Sequence, residues 1–359
     1  MKLLTTGLLA ASLAVGGLTL TTFSTSADAE MRMLRFAEFG PNRGTRAGAL
    51  EWLDQQLRER SSGELGLDII WGGALLGARD SAEGLSDGVA DMASIVPVYA
   101  PGRLVVYEVV DTVQLPDEWV GMMATYDFMT SSPAALAEAE SFNLRYFGNY
   151  TTGPTQLLSR EAPIGNLEEL QGKTIRATGA FVPALEEYGA STISMSQPKV
   201  YEALSNGSVD GSTTYYYVVK AYKQYEVAKS MTAVDMGQTL GFGIAMNLDT
   251  YKSLNPEQQQ IIDKLGRDFT QHVAQLMHAS RTETKAELAA GIDGHAMTMV
   301  DPAPGMRDAL VKIAEEDATR WFDKAGEKDF DPQTTRQQFL DLIAKYSAEK
   351  EAQGYPWAR

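Results

Sequence analysis

Aromatic side chains at the ends of apolar runs are the residues of this chain best suited to handling a small molecule. Phe39 and Trp71 end two runs that read as strands, Tyr99 follows a third, and Tyr150 and Tyr215 flank the entrance to a second half of the chain. Such rings stack on a flat solute or cage a cation. Taken singly, each is equally well explained as core. Nucleophilic chemistry is poorly provided for: there is no cysteine and no Gly-x-Ser-x-Gly elbow. His272, His278 and His295 fall in a late helix and strand without the spacing of a ligand cluster, so no metal and no cofactor is expected.

The elements that must position these rings announce themselves by repetition. Glu83-Gly-Leu-Ser-Asp-Gly-Val-Ala-Asp91 and Glu202-Ala-Leu-Ser-Asn-Gly-Ser-Val-Asp210 each read as a helix end, a glycine, and an acidic residue opening a strand. Gly88 and Gly207 stand where a left-handed residue closes a helix, a conformation glycine adopts without a Cβ clash. One such pair points to two similar α/β lobes with a cleft between them, not to a solenoid.

Length and charge agree with this. A chain of 359 residues is long for one core. Met1 to Leu18 carries one basic residue and then an apolar run, and Ala27-Asp-Ala29 follows. This reads as a secretory signal peptide cleaved after Ala29, with a membrane anchor as the alternative that the short, Thr- and Gly-broken run disfavours. Loss of residues 1–29 removes Lys2 and Asp28, so the mature chain keeps the net charge of -16. An acidic surface excludes nucleic acid and anionic membrane as natural partners but not a small anion in a locally positive pocket. An exported protein without cysteine fits the periplasm, as a soluble monomer.

Strands are expected over Met33–Phe39, Leu65–Trp71, from Asp91, over Asn143–Phe147, Lys173–Ala177 and Gly241–Met246, the last returning to the first lobe. Helices are expected after Gly44, with Leu50, Leu53 and Leu57 inward, and over Leu167–Gly172, Phe181–Tyr188 and Lys199–Ser205. Asn255-Pro-Glu-Gln258 is a strong helix start. From it Ile261, Leu265, Phe269, Val273 and Leu276 recur at helical spacing without a proline before Ala290. About 35 residues at 1.5 Å each give roughly 50 Å, enough to span both lobes; two helices broken near Gly266 or Ala279 are the alternative.

Asn166-Leu-Glu-Glu-Leu-Gln-Gly-Lys-Thr-Ile-Arg176, Val200 to Gly211 and Met246-Asn-Leu-Asp-Thr-Tyr-Lys-Ser-Leu-Asn-Pro-Glu-Gln258 resemble, in order, the solute-binding proteins of tripartite ATP-independent periplasmic (TRAP) transporters. Leu76-Gly77 and Gly88-Val-Ala-Asp-Met92 match the same family's first lobe. The resemblance covers essentially the whole mature chain. It implies an α/β, two-lobed periplasmic-binding-protein architecture with an interlobe cleft, crossing strands and a long helix spanning both lobes. The expected division is 30–153 plus about 242–281 for the first lobe and 154–241 plus about 282–359 for the second. It also implies capture of a small organic anion by lobe closure and delivery to a membrane permease, not catalysis. The alternatives are a stand-alone periplasmic sensor or scavenger and, against the residues above, an exported enzyme.

The resemblance makes Arg176 the anchor for a ligand carboxylate, a role that a planar, permanently charged guanidinium suits. Where acidic-sugar binders of the family place a second arginine, this chain has Gln156. The branch binding keto acids has a glutamine there, but its metal-linked glutamates are replaced here by the Ser212-Thr-Thr-Tyr215 stretch and by Gly237 or Gln238. Thr214 and Gln156 are then expected to hydrogen-bond the rest of the solute, Gln197 to pack on it, and Phe39, Trp71, Tyr99, Tyr150 and Tyr215 to shape it. One arginine among aromatic walls admits a carboxylate, a sulfonate or a betaine-like zwitterion.

Overall fold

In the computed structural model, which describes residues 31–115 and 117–359, the expected signal peptide and its cleavage after Ala29 lie outside the described residues. The apolar run Arg32–Ala37 forms β1, and the helix Thr45–Arg60 returns the chain to β2 (Leu65–Ile70), which pairs with β1 in parallel. Leu50, Leu53 and Leu57 lie on the buried face of that helix. On the other side of β1 stands β3 (Met92–Ile95), also parallel. Helices Glu118–Ser131 and Pro133–Ser141 lead to β4 (Leu144–Asn149).

The second lobe comprises β5 (Thr155–Ser159), β6 (Thr174–Arg176), β7 (Ser191–Ile193), β8 (Gly211–Thr214) and β9 (Ser230–Met236). Then β10 (Gly243–Asn247) runs back into the first lobe, antiparallel between β3 and β4, and β11 (Thr298–Val300) edges the second. The sheets are ordered β2-β1-β3-β10-β4 and β11-β9-β5-β8-β6-β7. Two crossings join them, 150–154 and 237–242, and they run side by side. Tyr150 N–H donates to Phe242 O at 2.7 Å and Thr155 N–H to Gly237 O at 3.2 Å.

The repeated sequence unit is a repeated structure. Gly88 and Gly207 both take φ of 75°. Asp91 accepts the Arg35 N–H at 2.8 Å on Oδ2 and donates its own N–H to Arg35 O at 2.9 Å. Asp210 does the same to Thr174, at 2.8 and 2.7 Å. In each lobe an aspartate clasps the strand next to its own, at Arg35 within β1 and at Thr174 opening β6, so that β3 and β8 enter in register.

The helix Pro256–Ala290 is continuous, opened by a capping box between Asn255 and Gln258. Gly266 does not break it. A Cβ there would lie 2.0 Å from Phe147 O, so glycine lets the helix lie directly on β4. Leu265, Phe269, Val273 and Met277 enter the first lobe's core, while Leu288 enters a second-lobe cluster with Leu158 and Met231.

Two expectations are corrected. Residues 282–359 do not all join the second lobe: Met306–Glu316 does, through Met306, Leu310 and Ala314, but Pro332–Gln353 packs on Glu118–Ser131. That helix is buried on nearly every side and needs a cover. Phe339 meets Phe128 at 5.7 Å between ring centroids, and Tyr346 meets Trp119 at 5.4 Å. The helix expected over Leu167–Gly172 is a single 3-10 turn, Glu168–Leu170.

Candidate functional site

Between the lobes, beyond the carboxyl ends of the parallel strands, lies a cavity of about 30 Å³, the space of about two waters. Ligands of doubly wound sheets sit at this place. The first lobe contributes Phe39 after β1, Val96, Val98 and Tyr99 after β3, and Phe242 before β10. The second contributes Thr178 after β6, Gln197 after β7, and Tyr215, Tyr217 and Tyr222 after β8. The crossings supply Thr152 and Thr239. A wider mouth of about 370 Å³ adjoins it, bordered by Asp111, Phe181, Trp321 and Lys324.

Arg176, the last residue of β6, is 1% exposed. Its Nε donates to Met195 O at 2.8 Å, Nη1 to Thr213 O at 3.2 Å and Nη2 to the Tyr99 hydroxyl at 3.4 Å. The same hydroxyl accepts the Gln197 N–H at 3.2 Å. Among the described residues no carboxylate lies within ion-pair distance of this guanidinium, so one positive charge is buried just behind the cavity wall with carbonyls and a phenol for company. Burying a charge without a counter-ion is costly, so this guanidinium has the capacity to take an anion. Tyr215, beside it, has its phenol pushed up by burial, an effect that the Arg176 charge partly offsets.

A second buried arginine faces the cavity from the first lobe. Arg46 stacks over the rings of Phe39 and Phe242, 4.9 and 5.1 Å from their centroids. Unlike Arg176 it is paired: Nη2 stands 2.7 Å from Oε1 of Glu38, which is fully buried. Glu38 also accepts the Gly40 N–H at 2.5 Å and the Ser94 hydroxyl at 2.6 Å. Burial is the largest single influence and works against the Arg46 charge, but Glu38 and, more weakly, the surrounding phenols together outweigh it and hold the guanidinium protonated more firmly than usual. Gly40 makes room for the pair, since a Cβ there would lie 1.5 Å from Arg46 Nη2.

The structure brings some of the expected residues together and separates others. Phe39, Tyr99, Tyr215 and Gln197 line the cavity, and Arg176 backs it through Tyr99. Gln156 does not reach it. Its amide is spent on Asp235, donating to Oδ1 at 2.7 Å and accepting that residue's N–H at 3.1 Å, because β5 turns this position toward β9. Thr214 lies one step behind, bonded to Gln224 at 3.1 Å, which in turn donates to Gln197 at 3.2 Å. Tyr150 is core, wedged between Phe242 and Phe269 at 4.9 and 5.4 Å. Trp71 packs on the partly buried margin of the first lobe, away from the cavity lining. Of the two strand-end residues, Phe39 lines the cavity and Trp71 does not, because β2 is an edge strand and β1 and β3 are central. His272 and His278 lie on the long helix, and His295 is in a turn.

Sequence reasoning missed Arg46, Tyr217, Tyr222 and Phe242. For Arg46 a signal existed. It falls four residues before Leu50, in line with Leu53 and Leu57, so a charge sits on the apolar stripe of an amphipathic helix. Such a charge needs a buried partner.

Over residues 36–324 the chain matches the family model described as bacterial extracellular solute-binding protein, family 7. It is 29% identical over 220 residues to the uncharacterized protein YiiZ of Salmonella typhimurium, a match covering 60% of this chain and 66% of that one. It is 24% identical over 257 residues to a solute-binding protein of Sulfitobacter sp., covering 69% of this chain and 75% of the other. A TRAP solute-binding protein from Rhodoferax ferrireducens, solved with copurified benzoate, superposes with a TM-score of 0.76 at 21% identity, over 89% of this chain and 99% of that one. A Bordetella bronchiseptica TRAP protein with bound mandelate gives 0.74 at 19% identity, over 88% and 99%. With two α/β lobes, crossing strands, a helix seated in both and a family match over most of its length, the chain belongs to the extracellular solute-binding proteins of family 7, the solute-binding proteins of TRAP transporters.

Proposed function

We propose that this protein captures a small organic anion, a carboxylate foremost, between its lobes and delivers it to a TRAP membrane permease, working as a monomer in the periplasm after cleavage behind Ala29. One observation carries the reading: Arg176 is buried at the cleft without a counter-ion. A ligand carboxylate supplies the missing charge. It meets the Nη2 donor and the Gln197 N–H, both of which the Tyr99 hydroxyl now holds. Phe39, Tyr215, Tyr217 and Phe242 form flat walls that favour a ring or a compact apolar body.

The cavity is too small for such a solute unless the lobes part. Binding is then closure: the solute bridges Arg176 on one lobe and the aromatic wall of the other, and affinity depends on the cost of closure as well as on contacts. Relatives solved with benzoate and with mandelate support an acid of this size. No residue arrangement in the cleft suggests turnover, and the solute leaves unchanged. The helix Pro256–Ala290 couples the two halves of the movement.

Thermal unfolding of the mature protein, refolded to strip bound solute, against small carboxylates, sulfonates and betaines tests this. A ligand at 100 times its Kd adds about 2.7 kcal/mol of stability. The shift is expected with carboxylates and is expected to vanish in Arg176→Ala. A shift that survives in the variant puts the anion elsewhere, and no shift from any compound removes the small-anion reading.

A further inference from the structure

The cleft holds two buried arginines, and only one is free to bind an anion. Arg46 and Arg176 approach the cavity from opposite lobes. Glu38 neutralises Arg46 at 2.7 Å, while Arg176 has no carboxylate beside it among the described residues. Counting the charged groups on or directly behind the wall, two guanidiniums and one carboxylate leave a net charge of one. The phenols of Tyr215, Tyr217 and Tyr222 around them are neutral at physiological pH, since burial pushes those of Tyr215 and Tyr217 up and that of Tyr222 up to about 12.

We propose that Glu38 sets the charge of the solute: by occupying Arg46 it leaves a site for a monoanion, an aromatic or cyclic monocarboxylate, and turns away dianions of the same shape. The inference rests on the solute-binding reading above and narrows it. A dianion brought into this cleft would place its second carboxylate near Arg46, whose strongest donor is already engaged. It would also meet the Glu38 carboxylate across a desolvated space, where like charges repel strongly. The pair is a built device and not a surface accident. Glu38 is fully buried and takes three donors, from Gly40, Ser94 and Arg46, and Gly40 lacks the Cβ that would displace the guanidinium. The rings of Phe39 and Phe242 fix the plane of Arg46 and keep water from it. Gln is the informative replacement at position 38, because it keeps the shape and an acceptor oxygen and removes only the charge.

The test is isothermal calorimetry with benzoate and with pairs of ligands alike in shape and different by one charge. The pairs are 3-carbamoylbenzoate against isophthalate and succinamate against succinate, whichever the wild-type cleft admits. Wild type is expected to bind the monoanion of a pair at least tenfold more tightly than the dianion. Glu38→Gln is expected to shift that ratio at least tenfold toward the dianion. A wild type that binds the dianion as well as its monoanionic partner overturns the proposal without any variant, so it does not depend on Glu38→Gln folding. A ratio unchanged in a folded Glu38→Gln protein overturns it too. Failure of wild type to bind any carboxylate, benzoate included, overturns the solute-binding reading first. Benzoate binding with the ratio wrong overturns only the role of Glu38.

Discussion

Arg176 reaches across the cleft to Tyr99: Nη2 on the second lobe donates to the hydroxyl on the first at 3.4 Å, and that oxygen also takes the Gln197 N–H at 3.2 Å. The phenol oxygen thus occupies, from the opposite lobe, the donors that an incoming carboxylate oxygen would use. On the proposed reading a solute carboxylate would replace this oxygen acceptor by another that carries charge.

From this follows the first prediction. Arg176→Ala is expected to weaken solute binding by about 2–5 kcal/mol, the cost of truncating one partner of a buried charge pair. Arg176→Lys is expected to recover little, because a point charge does not reproduce the planar fork. Calorimetric titration with the tightest carboxylate measures both.

Breaking the Glu38–Arg46 pair from either side is expected to cost stability. Arg46→Met leaves a buried carboxylate and Glu38→Gln a buried guanidinium, and each is expected to lose about 3–5 kcal/mol. The double variant is expected to regain most of that loss, because neither charge remains unpaired. Gly40→Ala, which drives a methyl into Arg46, is expected to behave like a broken pair. Midpoints of urea unfolding give the comparison.

At the helix crossing, Gly266→Ala is expected to destabilise by about 1–3 kcal/mol, since its Cβ meets Phe147 O of β4 and the helix must lift. Gly48→Ala supplies the contrast. It lies inside the helix Thr45–Arg60, and an added Cβ has nothing within 4 Å. There the same substitution is expected to stabilise by about 0.5–1 kcal/mol. The same urea titrations read both.

The pH dependence is predicted from Asp111, at the cleft mouth. Burial pushes its carboxyl up to about 7, against the pull of the Gly241 and Leu240 N–H groups that it accepts. The folded protein therefore holds this proton more tightly than the unfolded chain, whose aspartates titrate near about 3.9. Its stabilising contribution is complete below about pH 4 and is lost as pH rises through about 7. Stability is expected to fall between about pH 4 and pH 7 and to level off above that. The full loss is at most about 4 kcal/mol, and less where water at the mouth reaches the carboxyl. Asp111→Asn, which keeps an acceptor for both N–H groups, is expected to flatten the slope and to raise stability at pH 8.

Much of the fold was legible because its signals are local. The capping box at Asn255, the stripe Leu50, Leu53 and Leu57, and the paired glycines Gly88 and Gly207 each fix a local conformation from neighbouring residues. The lining of the cavity was legible only in part, because it forms from residues far apart in the chain. Arg176 came through a motif, and Phe39, Tyr99 and Tyr215 came from their places at strand ends. Gln156 failed because its β5 position turns to Asp235, and Tyr150 failed because the crossing it opens is buried between Phe242 and Phe269. The C-terminal helix was misassigned for a similar reason. Only the neighbouring Glu118–Ser131, apolar on nearly all sides, reveals which lobe needs covering.

The continuous helix Pro256–Ala290 is held at both ends, by Leu265 and Phe269 in one lobe and by Leu288 in the other. Between Met277 and Leu288 its inward positions are Ser280 and Thr284, whose hydroxyls lie 3.1 Å apart, with no large apolar side chain between the anchors. Parting of the lobes must be absorbed over this stretch, where hydroxyls that can bond back to the helix carbonyls ease bending. Under the proposed closure the helix would act as a leaf spring, bending over this stretch while both of its ends stay anchored.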